Sequence, residues 1–180
     1  LLGREPDQGG FNYWSNQILA CGADPLCANT RRRDVASAFF IEQEFQQTGS
    51  FIYNVYSGTL GRQPAFAEYS SDRQQVVGGA TLEAAKTTFA QGFVQRAEFA
   101  VKYQANTTAD SFVEALIQSV LFAGVDLSGE RALLLSSYAS GGNTVQSRAA
   151  VVRALADNAA FRQARYNPAF VLTEYFGYLR

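Results

Sequence analysis

Three ten-residue segments constrain this chain more than any single residue does. Residues 51–60 read F-I-Y-N-V-Y-S-G-T-L, residues 112–121 F-V-E-A-L-I-Q-S-V-L and residues 170–179 F-V-L-T-E-Y-F-G-Y-L. Each opens on Phe and closes on Leu nine positions later. With Leu2 at the same closing position, Leu2, Leu60, Leu121 and Leu179 recur at intervals of 58, 61 and 58 residues. A second landmark follows each leucine some forty residues on: Glu44-Phe45, Glu98-Phe99 and Ala160-Phe161. A period of this length marks supersecondary units that bury a core only against their neighbours. The expected organisation is three degenerate repeats of roughly sixty residues, packed in tandem as small helical bundles. Their bounds are 1–58, 59–119 and 120–180, the last ending in a helix that begins a further unit.

Within each unit the apolar spacing is helical. Phe11, Trp14, Ile18 and Leu19 share one face of a helix over residues 8–20, with Pro6 and Asp7 as turn and N-cap. Asp24-Pro25 reads as a cap followed by a first-turn proline. The next helix carries Val35, Ala38, Phe39 and Phe45 and ends near residue 49. Ser50 is placed to cap the 51–60 helix, where Gly58 is a local weakness. A fourth helix covers about 65–77, and Gly78-Gly79 separates it from a long fifth one with Leu82, Ala85, Phe89, Phe93, Ala97 and Ala100 on one side. Further helices follow Thr108 and Gly141-Gly142-Asn143, and Asn167-Pro168 caps the last. Strict alternation of a strand's length is absent. The fold class is therefore all-α, with about nine helices.

Composition excludes several functions. The chain is 47% hydrophobic and holds 14 Phe, so it can build a core, but no apolar run approaches a membrane-spanning length. A net charge of -1 leaves no basic excess for nucleic acid. The absence of His removes Ser-His-Asp and Cys-His catalysis and His-ligated metals. The chain has no Met and opens in mid-pattern at Leu1, which reads as a processed or excised piece of something longer. In the repeat frame the helix preceding Leu1 is then missing, and the last helix has no unit after it. That helix is expected to fill the gap in its own molecule or in a neighbour, making rings or filaments.

Cys21 and Cys27 lie in C-G-A-D-P-L-C, neither a C-x-x-C redox pair nor a zinc knuckle. A short-loop disulfide at the elbow between two helices is the favoured reading, worth about 2 kcal/mol and implying an extracellular or cell-surface setting. Two free thiols near a helix end are the alternative. The repeat register also pairs charges. Arg4 and Arg62 follow the leucine, Glu44 and Glu98 precede the phenylalanine, and the third unit has Ala123 and Ala160 instead. Joint loss is what a paired Arg and Glu would show, because a lone buried charge is costly.

By these residues the chain resembles a known bacterial family. R-E-P-D-Q-G-G-F-N-Y-W at residues 4–14, then F-F-I-E-Q-E-F, is similar to the domain-of-unknown-function family numbered four-two-one-four, whose signature is R-x-P-D-x-x-G-x-x-x-W followed by a helix ending in S-x-E-F. The middle unit keeps G-R-Q-P and R-A-E-F but lacks the Asp, Gly and Trp, and the third is degenerate. The resemblance implies a helical domain, distantly like phycobilisome linkers, in secreted or surface proteins. Similar modules occur in surface-layer proteins at the end that holds cell-envelope polysaccharide. It implies no catalytic residues.

Candidate contacts are few. At helical spacing Phe11 and Trp14 are expected in the core and Tyr13 at the surface. Tyr53, Tyr56, Tyr175 and Tyr178 lie in the repeated helix, where polar tips suit an interface. Arg31, Arg32 and Arg33 form the only basic run, a solvated helix face or a site for an anionic polysaccharide. Asp126, Glu130, Glu5 and Asp7 lack the density of a calcium loop, and Asn106-Thr107-Thr108 reads as a cap. Glu42, Glu44, Glu98 and Glu114 give no reason for two to converge as a glycosidase pair. The expected function is a non-catalytic structural or interaction module with no metal or cofactor, binding protein (copies of itself included). The alternative is a polysaccharide-binding or anchoring module. Charge reversal of Arg4 or of Glu44 should each lower the thermal midpoint, and the double reversal should recover most of the loss. Independent losses would refute the pairing.

Overall fold

The computed structural model describes residues 5–41 and 43–178. Arg4 and the side chains of Phe39 and Tyr178 lie outside the described set. The described residues form eleven α-helices and one 3-10 turn, with no strand. They are α1 (Gln8–Leu19), α2 (Pro25–Ile41), α3 (Gln43–Gln47), α4 (Gly49–Leu60), α5 (Phe66–Arg73), α6 (Leu82–Phe93), α7 (Ala97–Lys102), α8 (Ala109–Phe122), the turn (Ser128–Glu130), α9 (Arg131–Ala139), α10 (Thr144–Asp157) and α11 (Ala159–Tyr178). No described helix is long and apolar enough to cross a membrane.

Helix α4 sits at the centre. Every residue from Gly49 to Thr59 is buried, and α3, α5, α7, α8, α10 and α11 all pack on it. A helix buried on every face is a core helix, not an amphipathic surface one. Several of its polar groups are answered inside, while Asn54 Oδ1 is buried without a hydrogen-bond partner. Thr59 Oγ1 donates to the Val55 carbonyl at 2.6 Å, and Tyr103 donates its hydroxyl to the Thr59 carbonyl at 2.5 Å. Asn54 Nδ2 donates to the Ala156 carbonyl at 3.2 Å, tying α4 to α10. Gly61 ends the helix with φ 74°, a left-handed conformation that only glycine takes without strain.

One apolar core runs from Phe51 to Phe176, across all three sixty-residue intervals. Phe45, Phe99 and Phe161, the second landmarks, are all buried, and each is the third residue of its helix. Burying each contributes on the order of 2–3 kcal/mol. Phe51 meets Phe89 of α6 at 6.2 Å between ring centres, and Phe99 meets Phe112 of α8 at 6.0 Å. Polar tethers complete the packing: Lys86 of α6 reaches Asp157 of α10 at 2.7 Å while its ammonium lies 4.9 Å from the Phe51 ring centre.

Four local expectations need correction. The long fifth helix is two, α6 and α7, interrupted at residues 94–96. The break lets Phe93 and Phe99 both turn inward, their rings 6.0 Å apart. Asn167-Pro168 does not cap the last helix; Pro168 lies inside the 20-residue α11, where packing on α4 and α10 outweighs one missing backbone donor. Ser50 lies within the first turn of α4, and Thr48 holds the N-cap position. Phe11 is 54% exposed and α1 buries none of its residues, so that face is not part of the core. Helical spacing identifies a face but does not supply a partner for it.

Gly58 has a packing reason. A Cβ there would stand 2.9 Å from Leu155 Cδ2 and 3.1 Å from Phe161 Cζ. Gly58→Ala should gain about 1 kcal/mol of helix propensity yet lose roughly 1–3 kcal/mol to overpacking. A net fall in the urea midpoint is expected; a rise would show that Leu155 moves aside freely.

Candidate functional site

The α1–α2 hairpin carries Tyr13, Arg31, Arg32 and Arg33, four of the residues expected to make contacts. Its shape comes from local interactions. Asp7 Oδ1 accepts from the Gly10 amide at 2.7 Å, capping α1. Asp24 Oδ1 accepts from the amides of Leu26 at 2.9 Å and Cys27 at 3.2 Å, capping α2 behind Pro25. Cys21 and Cys27 are at disulfide distance, with sulfurs 1.97 Å and Cα atoms 5.6 Å apart. The pair spans the elbow between the two helices.

On this frame large apolar groups face solvent. Tyr13, Leu19 and Leu26 are exposed with Phe11, Leu26 at 79%. Trp14 is half-buried, its ring edge-on to Tyr13 at 4.9 Å. Arg31, Arg32 and Arg33 are exposed on α2. Arg31 lies 3.7 Å from Asp34, and Arg32 donates to Asn29 Oδ1 at 3.2 Å. Tyr175 is exposed on α11, far along the chain from the hairpin. Tyr53 and Tyr56, read from sequence as interface tips, are instead buried in α4. A helix enclosed on all sides leaves no surface for them.

The charged residues serve the fold. Arg62 Nε and Nη2 hold both oxygens of Glu98 at 2.8 and 2.5 Å, and its Nη1 and Nη2 hold both oxygens of Glu68 at 2.8 Å. Glu68 also caps α5 by accepting from the Ala65 amide at 2.7 Å. Hydrogen bonds from Arg62 hold Glu98 and Glu68 below the ordinary carboxylate range. Beside this clamp, Arg96 donates to Asp72 at 2.8 and 2.6 Å and to the Tyr56 hydroxyl at 2.6 Å. Tyr56 in turn donates to Asp72 Oδ2 at 2.8 Å. Burial, and then this bond to Asp72, push the Tyr56 hydroxyl upward. The sequence reading missed Asp72 and Glu68; Arg96 was visible in R-A-E-F, two residues before Glu98.

The other proposed ion pair, Arg4 with Glu44, lies outside the described residues at its Arg4 end. Glu44 rests its Cγ 2.7 Å from where a Cβ on Gly78 would stand. Glu114 accepts from Gln118 at 3.0 Å and has Arg131 at 3.9 Å. Asp126 accepts from the Ser128 amide at 2.9 Å, which lowers its pKa. Among the described residues no three His, Cys, Asp or Glu side chains converge. A groove between α6, α9 and α10 has a polar lining, but its charges are engaged: Arg153 bonds Glu83, Thr87 and Asp157.

No protein-family model, curated protein or solved structure matches the chain, so the family resemblance rests on the residues quoted above.

The clamp predicts an acid limb. Glu68 and Glu98 are depressed in the folded state, so their stabilisation is full above the unfolded Glu value of about 4.3 and is lost as pH falls below it. Arg62→Gln should lower stability by about 1 kcal/mol at pH 7, since these carboxylates are partly exposed. It should also flatten the decline of the urea midpoint below pH 4.3. An unchanged acid limb would remove the clamp from the account.

Proposed function

We propose that this chain is a non-catalytic structural or interaction module of a secreted or cell-surface bacterial protein, working through surface complementarity. The α1–α2 hairpin carries the reading. Phe11, Tyr13, Leu19 and Leu26 stand in solvent on an element shaped by caps and a cysteine pair, without buried residues in α1. Large exposed apolar side chains carried on one element support a contact surface there. The partner is protein, copies of this chain included. A cysteine pair at disulfide distance supports an oxidising compartment outside the cell. The family resemblance of residues 4–14 supports the same setting.

One observation favours a second reading, a cell-envelope polysaccharide-binding or anchoring module. Tyr13 and the three arginines are exposed on the same hairpin, and guanidinium groups suit anionic sugars.

Leu19→Glu with Leu26→Glu removes apolar surface and leaves the core intact, so stability should move by about 0.5 kcal/mol or less. Association with protein, read by sedimentation and by binding to isolated cell envelopes, should be lost in that variant. Saturable binding of one purified polysaccharide, abolished by Arg31→Ala with Arg32→Ala, would promote the second reading. Turnover of peptidoglycan or glycans by the purified chain would overturn both.

A further inference from the structure

Only two of the chain's fifteen basic residues are lysine, Lys86 and Lys102. Arginine stays protonated in proteins, whereas a lysine amine can lose its proton and act as a nucleophile. Lys86 is committed to the core. Its side chain is 5% exposed, and its nitrogen pairs with Asp157 and faces the Phe51 ring. Lys102, the last residue of α7, is exposed and makes no ion pair among the described residues.

The Lys102 amine stands where three elements meet. Its nitrogen lies 3.1 Å from Ser119 Oγ on α8 and 5.6 Å from the Tyr103 ring centre. The third element is the end of α4, where a Cβ on Gly61 would lie 3.9 Å from the nitrogen and 4.0 Å from Ser119 Oγ. Gly61 takes φ 74°, a conformation that keeps this position free of a side chain beside the amine.

The hydrogen bonds at this junction run in one direction. The Thr59 carbonyl can only accept, so the Tyr103 hydroxyl donates to it at 2.5 Å. The Tyr103 oxygen then accepts from Ser119. With its one proton used, Ser119 Oγ accepts from Lys102. A neutral Lys102 amine therefore donates to Ser119 and keeps its lone pair unengaged.

The neighbours favour that neutral form. Partial burial of the ammonium is the largest influence and holds Lys102 below the ordinary lysine range, while Glu98, one turn earlier on α7, opposes it. Arg62, just after α4, holds both Glu98 oxygens and so weakens the opposition.

The same corner offers one large apolar group. Phe122 stands three residues beyond Ser119, at neighbouring positions on the α8 surface, and is 93% exposed. An apolar ring one turn from a nucleophile favours an apolar chain on the carbon that the nucleophile attacks.

We propose that Lys102 is a covalent attachment site, its Nζ taking an apolar acyl group from an activated ester or thioester. The nitrogen lone pair attacks the carbonyl carbon and forms the C–N bond. The C–O or C–S bond breaks, and the leaving group departs with the electron pair and takes up the proton that nitrogen loses. The products are an amide on Lys102 and a free alcohol or thiol, with the acyl chain beside Phe122. The site takes one group per chain and is not catalytic. It goes beyond the interaction-module reading and does not depend on the hairpin.

The test treats the folded chain with p-nitrophenyl acetate or p-nitrophenyl hexanoate at neutral pH and locates the adduct by peptide mass spectrometry. Each rate is referred to that of N-acetyl-lysine amide with the same ester. Lys102 should react several-fold faster than this free amine, and faster with hexanoyl than with acetyl. Lys86 should stay unmodified until the chain is unfolded. Three variants, each checked for helix content, separate the parts. Lys102→Arg keeps the charge and should abolish lysine acylation of the folded chain. Glu98→Gln removes the opposing carboxylate and should raise the Lys102 rate. Phe122→Ser should remove the advantage of hexanoyl over acetyl. A Lys102 that reacts no faster than the free amine overturns the site. A hexanoyl advantage that is absent, or that survives Phe122→Ser, overturns the apolar acyl class.

Discussion

A helix enclosed on every side has to satisfy everything it carries without water. Helix α4 meets that constraint, Asn54 Oδ1 excepted, with groups drawn from most of the chain. Tyr103, just after α7, donates to the Thr59 carbonyl, and the Ala156 carbonyl of α10 takes the Asn54 amide. Leu155 and Phe161 close over Gly58. Each such contact places another element, so α5, α7, α8, α10 and α11 are positioned largely by their fit to one twelve-residue helix. The volume left at Gly58, rather than any helix preference, fixes how closely α10 and the start of α11 approach.

The ion pairs follow from that enclosure. Tyr56 brings a hydroxyl into the core, and Asp72 accepts from it. A buried carboxylate needs a cation, which Arg96 supplies from the α6–α7 break. The Arg96 guanidinium also lies 4.8 Å from the Phe93 ring centre, so the break in the helix, the charge and the aromatic packing are one arrangement. Arg62, held by two carboxylates a short distance away, lies 5.2 Å from the Tyr56 ring centre and joins the clamp to the same tyrosine.

The α1–α2 hairpin obeys a different rule. Aspartate caps at both helix starts and a cysteine pair at disulfide distance across the elbow hold it. It can therefore keep aromatic side chains in solvent without losing its shape. Core helices of this protein gain their stability from burial, whereas α1 has no buried residue.

Local physics was legible in the residues themselves. The all-helical class, the caps at Asp7 and Asp24, the closeness of Cys21 and Cys27 and a pairing of Arg62 with Glu98 all follow from periodicity, short-range hydrogen bonding or register. These need only neighbours in sequence or a repeated position. Tertiary structure alone decided which apolar faces found a partner. Phe51 and Phe11 sit at equally good helical spacing, yet one is buried and the other stands in solvent. The Asp72–Arg96 pair and the continuation of α11 through Pro168 were equally hidden. Burial belongs to pairs of surfaces brought together by the whole fold, and periodicity along one helix carries no information about what arrives opposite it.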